Sequence, residues 1–234
     1  ENRPLVFLSG SPRIFKRVLE NKMMRDKVKH DGMVLKPFKD LVISGLLGLK
    51  VPQIIPSLKE QIGYKLEALL RFRQEVPANH PEILMGDDTE EDVVAYTLYH
   101  RLSAGLLDPT ALDQELEQLN VAQSWRSEIS KQAAKVKAYL EGKAAPVRTI
   151  YINRTKYTST TYKVSDYAIS GIVRYHTGAW PLILDLHEEG LVSEQVVFDV
   201  RQELLARGQS AEDLEAAASA GVKDGFLDKV SPEK

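Results

Sequence analysis

The sequence predicts an α/β fold built on a parallel sheet. Short apolar runs alternate with segments whose apolar residues recur at helical spacing, the order strand, helix, strand, helix. Two of the early runs stop at small and polar residues, Ser9-Gly10 and Gly86-Asp87, and open parallel sheets bind ligands at the carboxyl ends of their strands. The 234 residues, 43% hydrophobic and 27% charged, suffice for one sizeable core or a core with a helical appendage.

The first strand is Leu5 to Leu8. Ser9-Gly10-Ser11-Pro12 follows, and a serine before a proline at a first helical position announces a helix through Ile14, Phe15, Val18 and Leu19. A turn at Asp31-Gly32 leads into a second strand, Met33 to Phe38. Leu41 to Pro56 is apolar and broken by glycine and proline. Ser57 and Glu60 have capping-box spacing, and the helix after them presents Ile62, Leu66, Leu69 and Val76 before Pro77 and Pro81 end it. Ile83 to Met85 form a buried strand that stops at Gly86-Asp87-Asp88-Thr89, and a helix with Val93, Val94, Tyr96, Thr97 and Leu98 follows.

From Asp108 to Gly142 the pattern becomes a charged helical hairpin, marked by Leu112, Leu116 and Leu119, then Ile129, Val136 and Leu140. Strands resume at Thr149–Ile152 and Ile172–Tyr175, around a loop rich in Thr, Ser, Tyr and Lys from Arg154 to Ser165. Two or three helices with breaks at Gly190 and Gly208 complete the chain. The expected division is a core over 1–107, an insertion over 108–145, and the remaining strands and helices over 146–234.

Composition removes several classes. Lysine and arginine number 31 against 33 acidic residues, so nothing marks a dedicated nucleic-acid binder. The absence of cysteine rules out disulfides, thiolate nucleophiles and thiolate metal sites, and leaves the redox compartment unread. No apolar run approaches the roughly 18 residues of a membrane span. The five histidines lack metal-ligand spacing, and no nucleophile elbow, P-loop or dinucleotide glycine fingerprint occurs.

Three features remain that carry chemistry. Ser9-Gly10-Ser11 offers a hydroxyl and backbone N–H groups at a helix start, which suits a phosphate; it is equally an ordinary helix cap. Lys65 suits neutralisation of a phosphoryl oxygen, or is a solvated helix lysine. Gly86-Asp87-Asp88-Thr89-Glu90-Glu91-Asp92 packs carboxylates at a strand end, where Mg²⁺ would relieve their repulsion. Its other reading is a Thr89 cap with an acidic first turn.

In this order the features resemble the second, third and fourth motifs of the haloacid dehalogenase superfamily. VFLSGSPRIF, YKLEALLRF and ILMGDDTEEDVVAY are similar to the catalytic domain of phosphatidate phosphatases of the actin-patch-associated type. TIYINR and LHEEGLV resemble that family's later strand and closing helix. The resemblance implies a Rossmann-like parallel sheet with flanking helices and a Mg²⁺-dependent phosphatase. Ser9 with the Gly10 amide would bind phosphoryl oxygens, Lys65 would neutralise charge, Asp87 and Asp92 would hold Mg²⁺, and Asp88 is a weaker metal candidate. The implied partner is a phosphorylated substrate, phosphatidate at a membrane surface, with the apolar stretch 41–55 as a lid or an ordinary buried loop.

The chain departs from the family at its first motif. The nucleophile and general acid are two aspartates of a DxDxT sequence on a strand preceding the serine strand, and no aspartate precedes Leu5. In the superfamily that strand lies between the serine strand and the GDxxxxD strand. The chain starts at Glu1 rather than methionine, so the expectation is a processed or partial sequence whose motif lies upstream, with residues 1–234 inactive alone. The competing expectations are a non-catalytic binding or scaffold protein of the same fold, and a phosphatase for a soluble ester.

Overall fold

The computed structural model describes residues 4–36, 61–88, 91–155, 169 and 171–223. The predicted lid at 41–55, the Ser57–Glu60 pair, Thr89 and most of the 154–165 loop lie outside them. The structure is mixed α/β with parallel strands. It forms two compact units, Glu1–Pro81 with Val94–Pro146, and Glu82–Val93 with Val147–Lys234.

In the first unit β1 (Val6–Pro12) pairs in parallel with β2 (Gly32–Lys36). Val6 faces Gly32 and Ser9 faces Leu35, then the register shifts so that Pro12 faces Lys36. The strand therefore runs past Leu8, and no helix starts at Pro12. β2 continues to offer pairing as far as Lys36, the irregularity absorbs Gly10 and Ser11, and proline without an N–H is tolerated at such a place. A 3-10 turn, Arg13–Phe15, precedes α1 (Lys16–Arg25), whose N-cap is Phe15 with no side-chain cap.

The helix α2 (Gln61–Arg73) is buried around most of its circumference, beyond the single face its periodicity predicts. Arg73 is fully buried at its end and donates to the carbonyls of Val76, Pro77 and His80. The chain wraps this guanidinium, so Val76 falls after the helix rather than on it. In the second unit β3 (Glu82–Asp87) begins the sheet, and α3 (Asp92–Ser103) starts there and continues in the first unit.

The expected hairpin is α4 (Pro109–Gln118) and α5 (Gln123–Tyr139). Asp108 caps α4, its Oδ1 accepting from Thr110 N at 2.8 Å and Ala111 N at 3.0 Å, with proline at the first position. Arg126 ties the two helices through Asp113 at 2.9 Å and Glu117 at 2.8 Å. Leu112, Leu116, Ile129 and Val136 are fully buried. The hairpin packs on α2 at Gly63, where a Cβ would stand 2.9 Å from Trp125 Cγ; only glycine admits that approach.

The second unit holds β3, β4 (Val147–Asn153) and β5 (Val173–His176), all parallel in that order. Asp87 faces Asn153 and Asn153 faces His176, so the strands end level. β4 is central, with Ile150, Tyr151 and Ile152 fully buried. Three helices follow, α6 (Ala179–Glu188), α7 (Glu194–Ala206) and α8 (Ala211–Lys223). Tyr151, Trp180, Leu186, Leu214 and Ala218 form their common core. Arg174 on β5 binds Asp185 of α6 at 2.7 Å, whose carboxylate is 2% exposed, and Glu189 at 2.7 Å.

Among the described residues β1 pairs only with β2, and β3 only with β4. No helix among the described residues is long and apolar enough to cross a membrane.

Candidate functional site

At the carboxyl end of β3 the chain bends so that Asp92, in the first turn of α3, returns to the strand. Its Oδ2 accepts from Asp87 N at 3.3 Å. The side chain lies so close to Gly86 that a Cβ there would stand 2.6 Å from Asp92 Cβ and 2.7 Å from Asp92 Cγ. Glycine at position 86 is thus what lets the buried Asp92 carboxylate sit on the strand end. The Asp92 carboxylate is thereby held against the Asp87 backbone N–H.

Asp88 goes elsewhere. Its amide donates to Asn153 O at 3.1 Å, and its Oδ1 accepts from Thr155 N at 2.8 Å and Thr155 Oγ1 at 2.9 Å. It is buried and clamps the segment leaving β4 to the segment leaving β3. Next along the sheet, Gly178 N donates to Asn153 Oδ1 at 3.1 Å, and His176 Nδ1 lies 2.8 Å from Gly178 O. Since a carbonyl only accepts, the proton is on Nδ1. Burial holds the His176 imidazolium back, lowering its pKa against the Gly178 hydrogen bond and the Asp185 charge.

These three strand ends frame an open groove of about 440 Å³, lined by Met85, Gly86, Asp87, Asn153, His176 and Gly178 with Ala179 and Leu182. Asp87 is its carboxylate among the described residues, and Met85, Ala179 and Leu182 give it an apolar lip. Mg²⁺ takes oxygen ligands in an octahedron, commonly one or two protein carboxylates with water and substrate oxygens. The Asp87 and Asp92 pair fits that donor set, and among the described residues no three His, Asp or Glu side chains form a metal-holding cluster.

The other expected site residues lie in the first unit. Ser9 ends the regular pairing of β1, and its Oγ accepts from Ser11 N at 3.2 Å, a local serine turn rather than the cap of a helix. Beside it, the Gly10 backbone backs onto the Gln61 side chain, with Gln61 Cδ 3.6 Å from the position of a Cβ. Lys65 is 2% exposed, unlike the solvated lysine its type suggests. A lysine is rarely placed there without a charged or polar purpose.

Asn153, His176 and Gly178 carry no spacing signature, so periodicity alone passes over them. Their signal was position, polar residues directly after strands, and it becomes readable once the strand ends are known to be level. Comparison with protein-family models, curated proteins and solved structures yields no match.

Proposed function

We propose that this chain is the scaffold of a Mg²⁺-dependent phosphomonoesterase of the haloacid dehalogenase type, close in kind to the phosphatidate phosphatases. One observation supports it most. The buried Asp92 carboxylate folds back onto the end of β3, its Oδ2 accepting from Asp87 N at 3.3 Å across Gly86, as the resemblance of GDxxxxD to the superfamily's fourth motif implies. The DxDxT aspartates that the resemblance implies would come from outside residues 1–234.

In this reading the Ser9 hydroxyl and the Gly10 N–H donate to phosphoryl oxygens. The buried Lys65 ammonium balances the negative charge that spreads over them in transfer. Asp87 and Asp92 would hold Mg²⁺, which would supply charge that lowers the cost of that same build-up. The upstream aspartates would supply the nucleophile and the acid that protonates the leaving group, then activate water. The apolar lip of Met85, Ala179 and Leu182 suits a lipid phosphate, and phosphatidate is the substrate expected.

A non-catalytic scaffold is the second reading, favoured by the internal use of Asp88 and Asp92 as hydrogen-bond acceptors. A phosphatase panel on the full natural polypeptide separates the two. The proposal expects Mg²⁺-dependent turnover of phosphatidate, with kcat reduced at least about 100-fold in Asp87→Asn. Turnover that persists without metal and with Asp87→Asn removes the mechanism; hydrolysis of soluble esters alone removes the lipid assignment.

A further inference from the structure

One short stretch reverses the charge balance of the chain. Residues 13–29 hold seven lysines and arginines against two acids, Glu20 and Asp26, whereas the rest of the chain holds 24 against 31 acidic residues. The stretch is the 3-10 turn, α1 and the few residues after it, all within the first unit. A segment of net charge +5 in a chain of net charge −2 marks a surface for an anionic partner.

The way α1 sits adds an apolar property to the charge. No residue of the helix is buried. Leu19, Glu20 and Met23 are half-buried and, at spacings of one, three and four, mark its inner side. Val18, Lys22 and Arg25 run along the outer side with Arg17 and Met24 beside them, all exposed. Val18 is 63% and Met24 74% exposed, and Ile14 and Phe15 of the preceding turn are exposed as well. The acids do not neutralise this side. Glu20 lies inward and pairs with Lys16 at 3.6 Å, and Asp26, at the helix end, pairs with Lys22, so the outer side is net positive through Arg17 and Arg25.

We propose that the outer side of the turn and α1 docks on an anionic lipid surface. Charge alone suits any polyanion, but a nucleic acid is held mainly through its phosphates and gives aliphatic side chains little to bury against. An acidic protein face is disfavoured because interface cores are poor in lysine. A lipid interface takes both kinds of group at once: apolar side chains enter the boundary of headgroup and acyl chain while arginine and lysine reach out to the headgroups. Ten residues make a helix of about 15 Å, which lies in that boundary and does not cross it. The surface stands without the phosphatase reading. Taken with that reading, on which the clause rests, it would bring a lipid phosphate toward Ser9 and Gly10, which lie just before the turn in sequence.

The test is cosedimentation of the full natural polypeptide, in EDTA, with phosphatidylcholine vesicles that contain or lack phosphatidylserine. Phosphatidylserine is a phosphodiester, so binding is read without turnover. Binding at least about tenfold tighter to the anionic vesicles is expected, and it should weaken as salt is added. Arg17→Gln with Arg25→Gln should weaken it about 25-fold, at about fivefold for each basic residue near the surface. Val18→Ser with Met24→Ser should weaken it at least about tenfold, whereas Val18→Leu with Met24→Leu, which keeps the apolar groups, should bind as wild type does. Equal binding to both vesicle types, or binding to neither, overturns the surface. So does a loss in the arginine pair with none in the serine pair, which would mark a face for a soluble polyanion or an acidic protein. Vesicle binding without phosphatase activity upholds the surface and removes the phosphatase reading; activity on detergent-dispersed phosphatidate without vesicle binding does the reverse.

Discussion

Replacing Gly86 by alanine adds one methyl group at the point where Asp92 meets β3. That carbon would stand 2.6 Å from Asp92 Cβ and 2.7 Å from Cγ, roughly 0.8 Å inside ordinary van der Waals contact at about 3.4 Å. Asp92 is 7% exposed, so its side chain has little room to withdraw. Overpacking of this kind costs about 1–3 kcal/mol, and losing the Asp87 N–H to Asp92 bond adds about 1 kcal/mol. The reduced freedom of alanine in the unfolded chain returns about 0.4–1 kcal/mol. The net loss is about 1–3.6 kcal/mol, a fall in Tm of about 2–14 °C for a chain of this size. Thermal unfolding by circular dichroism measures it. A double-mutant cycle with Asp92→Gly isolates the contact, because the second change removes the atoms that collide and the cost of Gly86→Ala should largely vanish. An alanine variant within 1 °C of wild type, or one whose cost is the same in the Asp92→Gly background, would refute the account of why glycine stands there.

Other consequences follow from the same geometry. Asp185→Ala leaves Arg174 with Glu189 as its ion-pair partner among the described residues, in a partly buried site, and a loss of about 2–4 kcal/mol is expected by urea denaturation; a loss under 0.5 kcal/mol contradicts the ion pair. His176 and His100 both have pKa values lowered by burial, so the unfolded chain binds more protons than the fold below the ordinary histidine pKa of about 6.5. Stability is therefore full above that pH and falls as the pH drops through this window toward the folded pKa values. Tm measured from pH 8 to 5 should decline below about 6.5, and the decline should be shallower in His176→Gln; an unchanged slope counts against the buried neutral ring.

Strand and helix order was largely legible, because parallel strands between helices are apolar throughout and helical periodicity survives burial on one face. The hairpin at 109–139 and the breaks at Gly190 and Gly208 are local matters of spacing and turn chemistry. The reading failed at Ser9–Pro12, where a cap-and-proline signal for a helix was overruled by pairing with β2. The carboxylates divided in a way no spacing reveals. Asp92 returns to the strand because residue 86 has no side chain, whereas Asp88 turns to Thr155, far away in sequence. Lys65 is buried by neighbours from other segments, information absent from its own helix. Asn153, His176 and Gly178 became visible only when the strand ends were aligned.

The central proposal is that the phosphoryl group is passed to an aspartate, with Ser9 as a binding group only. Brief incubation of the full natural polypeptide with ³²P-labelled substrate and Mg²⁺, acid quenching and peptide mapping tests it directly. The account expects a hydroxylamine-labile acyl-phosphate on an aspartate N-terminal to Leu5, absent in Asp87→Asn. Label on Ser9, stable to hydroxylamine, or steady turnover with no acyl-phosphate at any time point would contradict it.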